Sequence, residues 1–433
     1  MTKNTATQNT PSDVSSIGYP SANNVSANNV SVNNSPRNNS RLPRWLLLSC
    51  LIAVGIGQSF IFTSLPPIGR EIGLADVRIS TLITAGAATF VMAAFLWGRI
   101  INRIGRVRSV IVGMSSYAIT IALTGWVLQE ALTENLTAEQ TYYGVLILRV
   151  IFSLGVAGVL PAIQTYLIAH TDVKYRSSTI ALIGASFSIG MILGPAFASL
   201  LSGLGLTAPF YIIGLFTGSV AILVWFFVTD AQHVRQLEKP VAINWFVQPV
   251  LPFLVMSVFS ILSMTGVQQI MSFLIQDRFE LNVAQTTQQL GFAMMTMSCF
   301  SILVQMILVP RLQLGVVKLV YYGVAVGLLS QFAFVFLNNY MGVLLAMALF
   351  GTGFGFLFPG IVTAQTLLVK DHLQSRVASI NAAMQGLGAA LGPVIMASLY
   401  QLDQWVPFVA LMVGLLLVLG AFVYCRSKPK YDF

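Results

Sequence analysis

The sequence predicts an all-α membrane protein of twelve transmembrane helices in two pseudo-symmetric six-helix halves. Three observations predict it. The chain is 56% hydrophobic and 9% charged, where soluble domains carry about 25% charged residues. A soluble fold of 433 residues has no way to hide that much apolar surface. Apolar runs of about 20 residues, enough to cross a bilayer as helix, recur from Trp45 onward. Finally, the later runs repeat glycines, prolines and serines of the earlier ones at a fixed offset. In lipid each span must satisfy its own backbone, so helix is expected; a β-barrel would show alternating segments of about ten residues.

The elements follow in chain order. Residues 1–43 contain the tandem run SANNVSANNVSVNNS, which has no apolar periodicity and is expected to be a disordered tail. It is not read as a signal peptide, because the first apolar run starts only at Trp45 and is long enough to span. Spans are expected near 45–65, 79–99, 108–129, 141–169, 177–202, 206–228, 247–275, 285–308, 315–336, 341–368, 376–400 and 404–425. They group into an N-terminal half (44–229), a polar linker (230–246), a C-terminal half (247–425) and a short tail (426–433).

Loop charge orients the chain. One set of loops holds Arg99, Arg103, Arg106, Arg108, Lys174, Arg176, Arg235, Lys239, Arg311, Lys318, Lys370 and Arg376, and the tail adds Arg426, Lys428 and Lys430. The opposite set holds Glu130, Glu134, Glu139 and Asp403, with Arg70, Arg78 and Arg278 as exceptions. The positive-inside rule puts both termini in the cytoplasm of a cell membrane, as an even number of spans requires. The net charge of +9 is therefore topological and implies no nucleic acid. Cys50, Cys299 and Cys425 have no paired spacing and form no metal set, so they are read as reduced packing residues.

A shift of 198 residues lays Gly155 on Gly353, Pro161 on Pro359 and Ser177 on Ser375. It also lays Gly190, Gly194 and Pro195 on Gly388, Gly392 and Pro393. Leu and Val match by chance in apolar sequence; Gly and Pro at one offset do not. Carriers built from parallel halves hold substrate near the midplane, where the halves meet, and rock about it.

Three motifs add a resemblance. The loop after the second span reads GRIINRIGRVR from Gly98 to Arg108, with Asn102, Arg103, Gly105 and Arg106 inside it. Span 4 reads RVIFSLG from Arg149, and span 5 carries Gly190, Gly194 and Pro195. Together these resemble the major facilitator superfamily of the drug:proton antiporter type, over about residues 43–425. The resemblance implies a conformational latch in the loop, an Asp position occupied here by Asn102, and export through the span 5 motif. By themselves the loop glycines permit a tight reversal and Asn102 suits a helix N-cap. The span 5 glycines let a neighbouring helix come close, and Pro195 bends the helix.

Arg149 is the only charge well inside a span. Such a charge costs at least ~2.5–3.5 kcal/mol unless it faces a cavity or snorkels, so it is the leading substrate or coupling residue. The other candidates are Gln58, Gln164, Tyr166, Gln268, Gln269, Thr363 and Gln365, on spans that line the cavity in this family, with Asn381 and Gln385 on span 11. Phe60, Phe62, Phe350 and Phe354 are expected as apolar wall. No Asp or Glu falls mid-span, so proton coupling follows only from the resemblance. No P-loop, HExxH or Ser/His/Asp set appears, so no enzyme, cofactor or metal is expected.

The reading is secondary active export of a small amphipathic or anionic molecule (a drug, siderophore or other metabolite) by proton antiport. The implied partners are substrate, protons and lipid, and the chain is read as a monomer. The alternatives are a nutrient importer or facilitator of the same fold, and a transport-inactive receptor or scaffold.

Overall fold

Twelve helices long and apolar enough to cross a membrane stand among the described residues. The structure is a computed structural model and describes residues 41–229, 249–369 and 371–428. Most of the expected tail and the linker at 230–246 lie outside the described residues.

In chain order the first half comprises α1 (Arg41–Glu71), α2 (Asp76–Ile104), α3 (Arg106–Leu132), α4 (Ala138–Ala169), α5 (Arg176–Leu201) and α6 (Ala208–Phe227). The second half comprises α7 (Leu251–Phe279), α8 (Val283–Leu312), α9 (Val316–Phe336), α10 (Tyr340–Leu367), α11 (Asp371–Leu402) and α12 (Val406–Arg426). Every expected span has its helix. The largest boundary difference is in α1, which begins at Arg41 and runs through Pro66 and Pro67 to Glu71 instead of ending near residue 65.

The halves repeat each other's packing. Helix α1 lies on α5 as α7 lies on α11; α2 lies on α4 as α8 on α10; α3 lies on α6 as α9 on α12. Between halves, α2 meets α11 and α5 meets α8, the two crossings a pseudo-twofold exchanges. The repeated glycines make the first of these pairings possible. A Cβ on Gly190 would overlap the Ile52 carbonyl oxygen, and one on Gly194 would overlap the Ser59 hydroxyl and lie 2.6 Å from the Ile56 carbonyl oxygen. In the second half, a Cβ on Gly388 would lie 2.5 Å from the Val258 carbonyl oxygen, and one on Gly392 would overlap the Thr265 hydroxyl. Backbone therefore touches backbone at both places, which only glycine allows.

The loop motif is tighter than its glycine content suggests. Gly105 alone separates α2 from α3; at φ 95° it donates its N–H to the Ile101 carbonyl, and its own carbonyl accepts from the Ser109 hydroxyl at 2.6 Å. Gly98 lies inside α2 with open space around its Cβ position, so it has no part in the reversal. Asn102 stands exposed in the last turn of α2 and is not an N-cap: that position before α3 is Gly105, and no side chain caps it.

Two helices depart from ideal geometry, each for a visible cause. Helix α4 is interrupted at Ala157–Gly158. There the Trp97 indole of α2 packs where a Gly158 side chain would stand and donates to the Leu154 carbonyl at 2.6 Å. A side chain inserted into the helix ladder is a usual source of a kink. Helix α8 winds as a π-helix over Val304–Leu308, ahead of Pro310. Proline lacks the N–H and crowds the carbonyl four residues earlier, Met306, and widening the turn relieves that crowding.

Candidate functional site

A cavity lies at the junction of the halves, near the middle of the helices that line it. Its volume is about 150 Å³. Helix α5 contributes Ser188, Met191 and Ile192 from the first half. The second half contributes Met264 and Gln268 from α7, five residues from Met297 to Gln305 of α8, and Phe350, Gly351 and Phe354 from α10. The walls are thus methionine and phenylalanine, with amides and hydroxyls set among them and no charged side chain among the lining residues. Methionine is unbranched and polarizable, so it adapts to ligands of varied shape. Gln305 sits in the π-helical stretch and donates to the Ser301 hydroxyl at 3.0 Å. The widened turn is what re-aims this side chain relative to the rest of α8.

Arg149 occupies a different place. It lies about 16 Å along α4 from the Ala138 end and is 6% exposed. Its guanidinium packs on the backbone of α2 at Gly86, where a Cβ would come within 2.9 Å of one terminal nitrogen and 3.1 Å of Nε. It lies 5.3 Å over the Phe152 ring, which in turn meets Tyr117 edge-on at 5.1 Å. Nε has no hydrogen-bond partner. Arg149 is therefore a buried cation inside the first half, seated on a glycine, and not a lining residue of the junction cavity.

The remaining predicted residues divide. Gln268, Phe350 and Phe354 line the cavity. Gln269, one residue on, is fully buried with both amide atoms unpartnered, and the Asn381 side-chain oxygen is likewise buried and unpartnered. Gln365 turns into the second half, donating to the Phe253 carbonyl at 3.0 Å and the Ser257 hydroxyl at 2.8 Å. Tyr166 stacks on His170 at 4.3 Å and donates to the Thr229 carbonyl, near the end of α4. Gln58, Gln164 and Gln385 are half-buried and Thr363 is exposed; none lines the cavity. Phe60 packs edge-on against Phe210 inside the first half, at 4.8 Å.

Sequence reasoning looked to spans 1, 4, 7 and 10, with span 11 beside them; the structure builds the cavity from α5, α7, α8 and α10. The residues missed include Ser188, Met191, Met264, Met297, Ser301 and Gln305. Pro310 was the available signal, because a proline late in a span disturbs the turn ahead of it.

Two pseudo-symmetric six-helix halves closing on a midplane cavity define a multi-pass membrane transporter. A family model described as Major Facilitator Superfamily matches residues 47–393, and the chain belongs to that superfamily. It is 20% identical over 399 residues to multidrug resistance protein 2 of Bacillus subtilis (strain 168), covering 89% of this chain and 95% of that protein. It is 22% identical over 287 residues to the class C tetracycline resistance protein of Escherichia coli, covering 64% and 70%. Among solved structures it is similar to a bacterial homolog of the lysosomal transporter Spinster in an inward-facing, occupied conformation, with TM-score 0.67, 14% identity, and coverage of 91% and 99%. The nucleoside transporter NupG is similar at TM-score 0.69 and 12% identity, covering 89% and 99%. At these identities the two structures share the fold.

Proposed function

We propose that this transporter exports a small amphipathic molecule (a drug, a siderophore or another metabolite) by proton antiport. It works as a monomer in the plasma membrane with both termini in the cytoplasm. The observation that carries the substrate class is the wall of the junction cavity: Met191, Met264, Met297, Phe350 and Phe354 offer adaptable apolar surface, and Gln268, Gln305 and the serines offer polar anchors. Such a wall suits ligands with one apolar and one polar face. The wall lacks a cation, which favours a neutral or amphipathic ligand over an anionic one. The names of the Bacillus and Escherichia relatives speak of multidrug and tetracycline resistance, which supports a drug-like substrate; that a carrier confers resistance by moving the drug outward is our reading. We assign Arg149, buried apart from the cavity, to coupling, because a charge kept in the membrane interior at such a cost has a role beyond packing.

Vesicle reconstitution tests the reading. Amphipathic dyes and antibiotics are loaded, and flux is followed with and without an imposed pH gradient. Gradient-driven flux out of the tail-bearing side is expected. Flux indifferent to the gradient removes antiport, and flux in the other direction turns the protein into an importer.

A further inference from the structure

Helix α10 carries Phe350 and Phe354 one turn apart, and both rings line two cavities, the one at the junction of the halves and a smaller one. The pair is the partition between them. The smaller cavity, of about 30 Å³, lies wholly inside the second half, among α7, α9, α10 and α12. It has room for one or two water-sized groups. Glycine makes that room. On α9 the face toward it reads Gly323, Gly327 and Gln331, four residues apart, so the three stack on one side of the helix. Gly353 of α10 meets this face backbone to backbone; its Cβ would lie 2.9 Å from the Gly327 nitrogen. Gln331, one turn past Gly327, stands in the wall of the space left over.

The polar groups of this inner cavity are unbalanced. Gln331 is 1% exposed, and its Oε1 has no hydrogen-bond partner. Ser260 and Ser263 of α7 also line the cavity, but each spends its hydrogen on its own helix. Ser260 donates to the Met256 carbonyl at 2.8 Å and Ser263 to the Phe259 carbonyl at 2.7 Å. Their oxygens still accept, and they have no donor left to give to Gln331. The rest of the lining is glycine, phenylalanine and leucine. A buried acceptor without a partner costs free energy, so this cavity selects an occupant that donates. No charged side chain lines it, so the donor is neutral: an ammonium buried there without a carboxylate is heavily opposed. The chemistry that fits is a hydroxyl or a neutral N–H, with apolar surface behind it.

The partition has one fixed ring and one that can yield. Phe350 is buried, whereas Phe354 is half-buried and stacks on Phe358 with centroids 5.2 Å apart and planes inclined by 13°. An offset parallel stack lets a ring slide without losing its partner. There is also a reason for it to move. The junction cavity holds about 150 Å³, and pockets for drug-sized ligands hold about 300–1,000 Å³. Such a ligand needs more room than the junction cavity gives, and the space beyond Phe354 adjoins it.

We propose that the substrate site continues past Phe354 into this inner pocket, and that Gln331 is its specificity residue, accepting a hydrogen bond from a neutral hydroxyl or N–H at one end of the ligand. The inference rests on the reading of the junction cavity as the substrate site. The probes are 2-naphthol, a neutral aromatic ending in a hydroxyl, and 2-methoxynaphthalene, the same ring system with that donor removed. Binding is measured by calorimetric titration of full-length protein in lipid nanodiscs, with empty nanodiscs subtracted. The readout is the ratio of the two dissociation constants; partition into lipid cancels when the ratio is compared between proteins. Gln331→Met keeps the volume and removes the acceptor, and is expected to cut the preference for 2-naphthol about tenfold. Gly327→Ala puts a methyl group into the inner pocket, 3.1 Å from the Leu415 side chain, and is expected to cut it as well. An unchanged ratio in either folded variant overturns the proposal. So does a ratio that falls in Gln268→Leu and stands in Gln331→Met, which puts the hydroxyl in the junction cavity. Should one variant fail to fold, the other decides. The titration needs no gradient, so a failed exporter reading shows in vesicle flux with the preference intact. Wild-type protein that binds neither probe overturns the inner pocket together with the substrate site it extends.

Discussion

Arg149 brings a full charge into the first half, and no carboxylate among the described residues pairs with it. Such burial costs at least ~2.5–3.5 kcal/mol, which packing alone does not repay. Arg149→Met is therefore expected to leave thermal stability unchanged or raised by about 1 kcal/mol, while gradient-driven flux is lost. Retained flux would remove Arg149 from the coupling role. Its seat makes a second prediction. Gly86→Val puts atoms where the guanidinium now lies and is expected to slow transport about tenfold, the equivalent of ~1.4 kcal/mol, at normal expression. Among the amides, Gln268 is the one on the predicted list that meets the cavity. Gln268→Leu should weaken binding of a polar-faced ligand by about 1 kcal/mol in a direct titration and leave a wholly apolar one unaffected. Gln365 shows why residue type was an incomplete guide. Its amide was a fair choice from sequence, but it is spent on Phe253 and Ser257 across a helix pair. An amide bonded to a neighbouring helix and an amide facing a ligand look alike in a one-dimensional string.

At the scale of elements, the glycine pairs and the π-helical turn give the clearest tests. Gly194→Val drives a side chain into the Ser59 hydroxyl and the Ile56 carbonyl of α1, and Gly392→Val does the same to Thr265 and Leu262 of α7. Each is expected to destabilise by about 1–3 kcal/mol or more, seen as a lowered melting temperature, and the two by similar amounts because the packing is repeated. In α8, Pro310→Ala restores the missing donor and permits a regular helix. Gln305 then rotates by about 100°, one residue's worth of helix, out of the cavity wall. Higher thermal stability with weaker ligand binding is the expected signature. Much of this level was legible in advance. Span number, the contact of span 5 with a close neighbour, and the equivalence of the halves all follow from apolar length and from matched Gly and Pro. The end of α1 was not legible, because two successive prolines argue locally for a stop. The helix continues because its last turn packs Arg70 into a charge cluster drawn from three other helices: Asp76 of α2, Asp277 of α7 and Tyr400 of α11.

For the whole molecule, transport requires the halves to slide at the α2–α11 and α5–α8 crossings. Gly386 of α11 meets Val91 of α2 at one of them, with no room for a Cβ. Gly386→Val is expected to fold, since each half is intact, but to hold the halves apart and cut flux severely. Distances between spin labels on Glu134→Cys and Ala284→Cys, exposed on opposite halves, check this. The sequence by itself determined that the chain lives in lipid, crosses it twelve times and is doubled, because these properties depend on composition, length and period along one dimension. It also singled out Arg149 as a charge that needs an explanation. Only the tertiary structure decided that Arg149 sits on Gly86 apart from the cavity, that the cavity is walled by α5 and α8, and that Arg70 meets Asp277 from 207 positions away. Those are facts about which helix faces approach, and helix rotation and pairing in lipid are set by packing between side chains that no single span records.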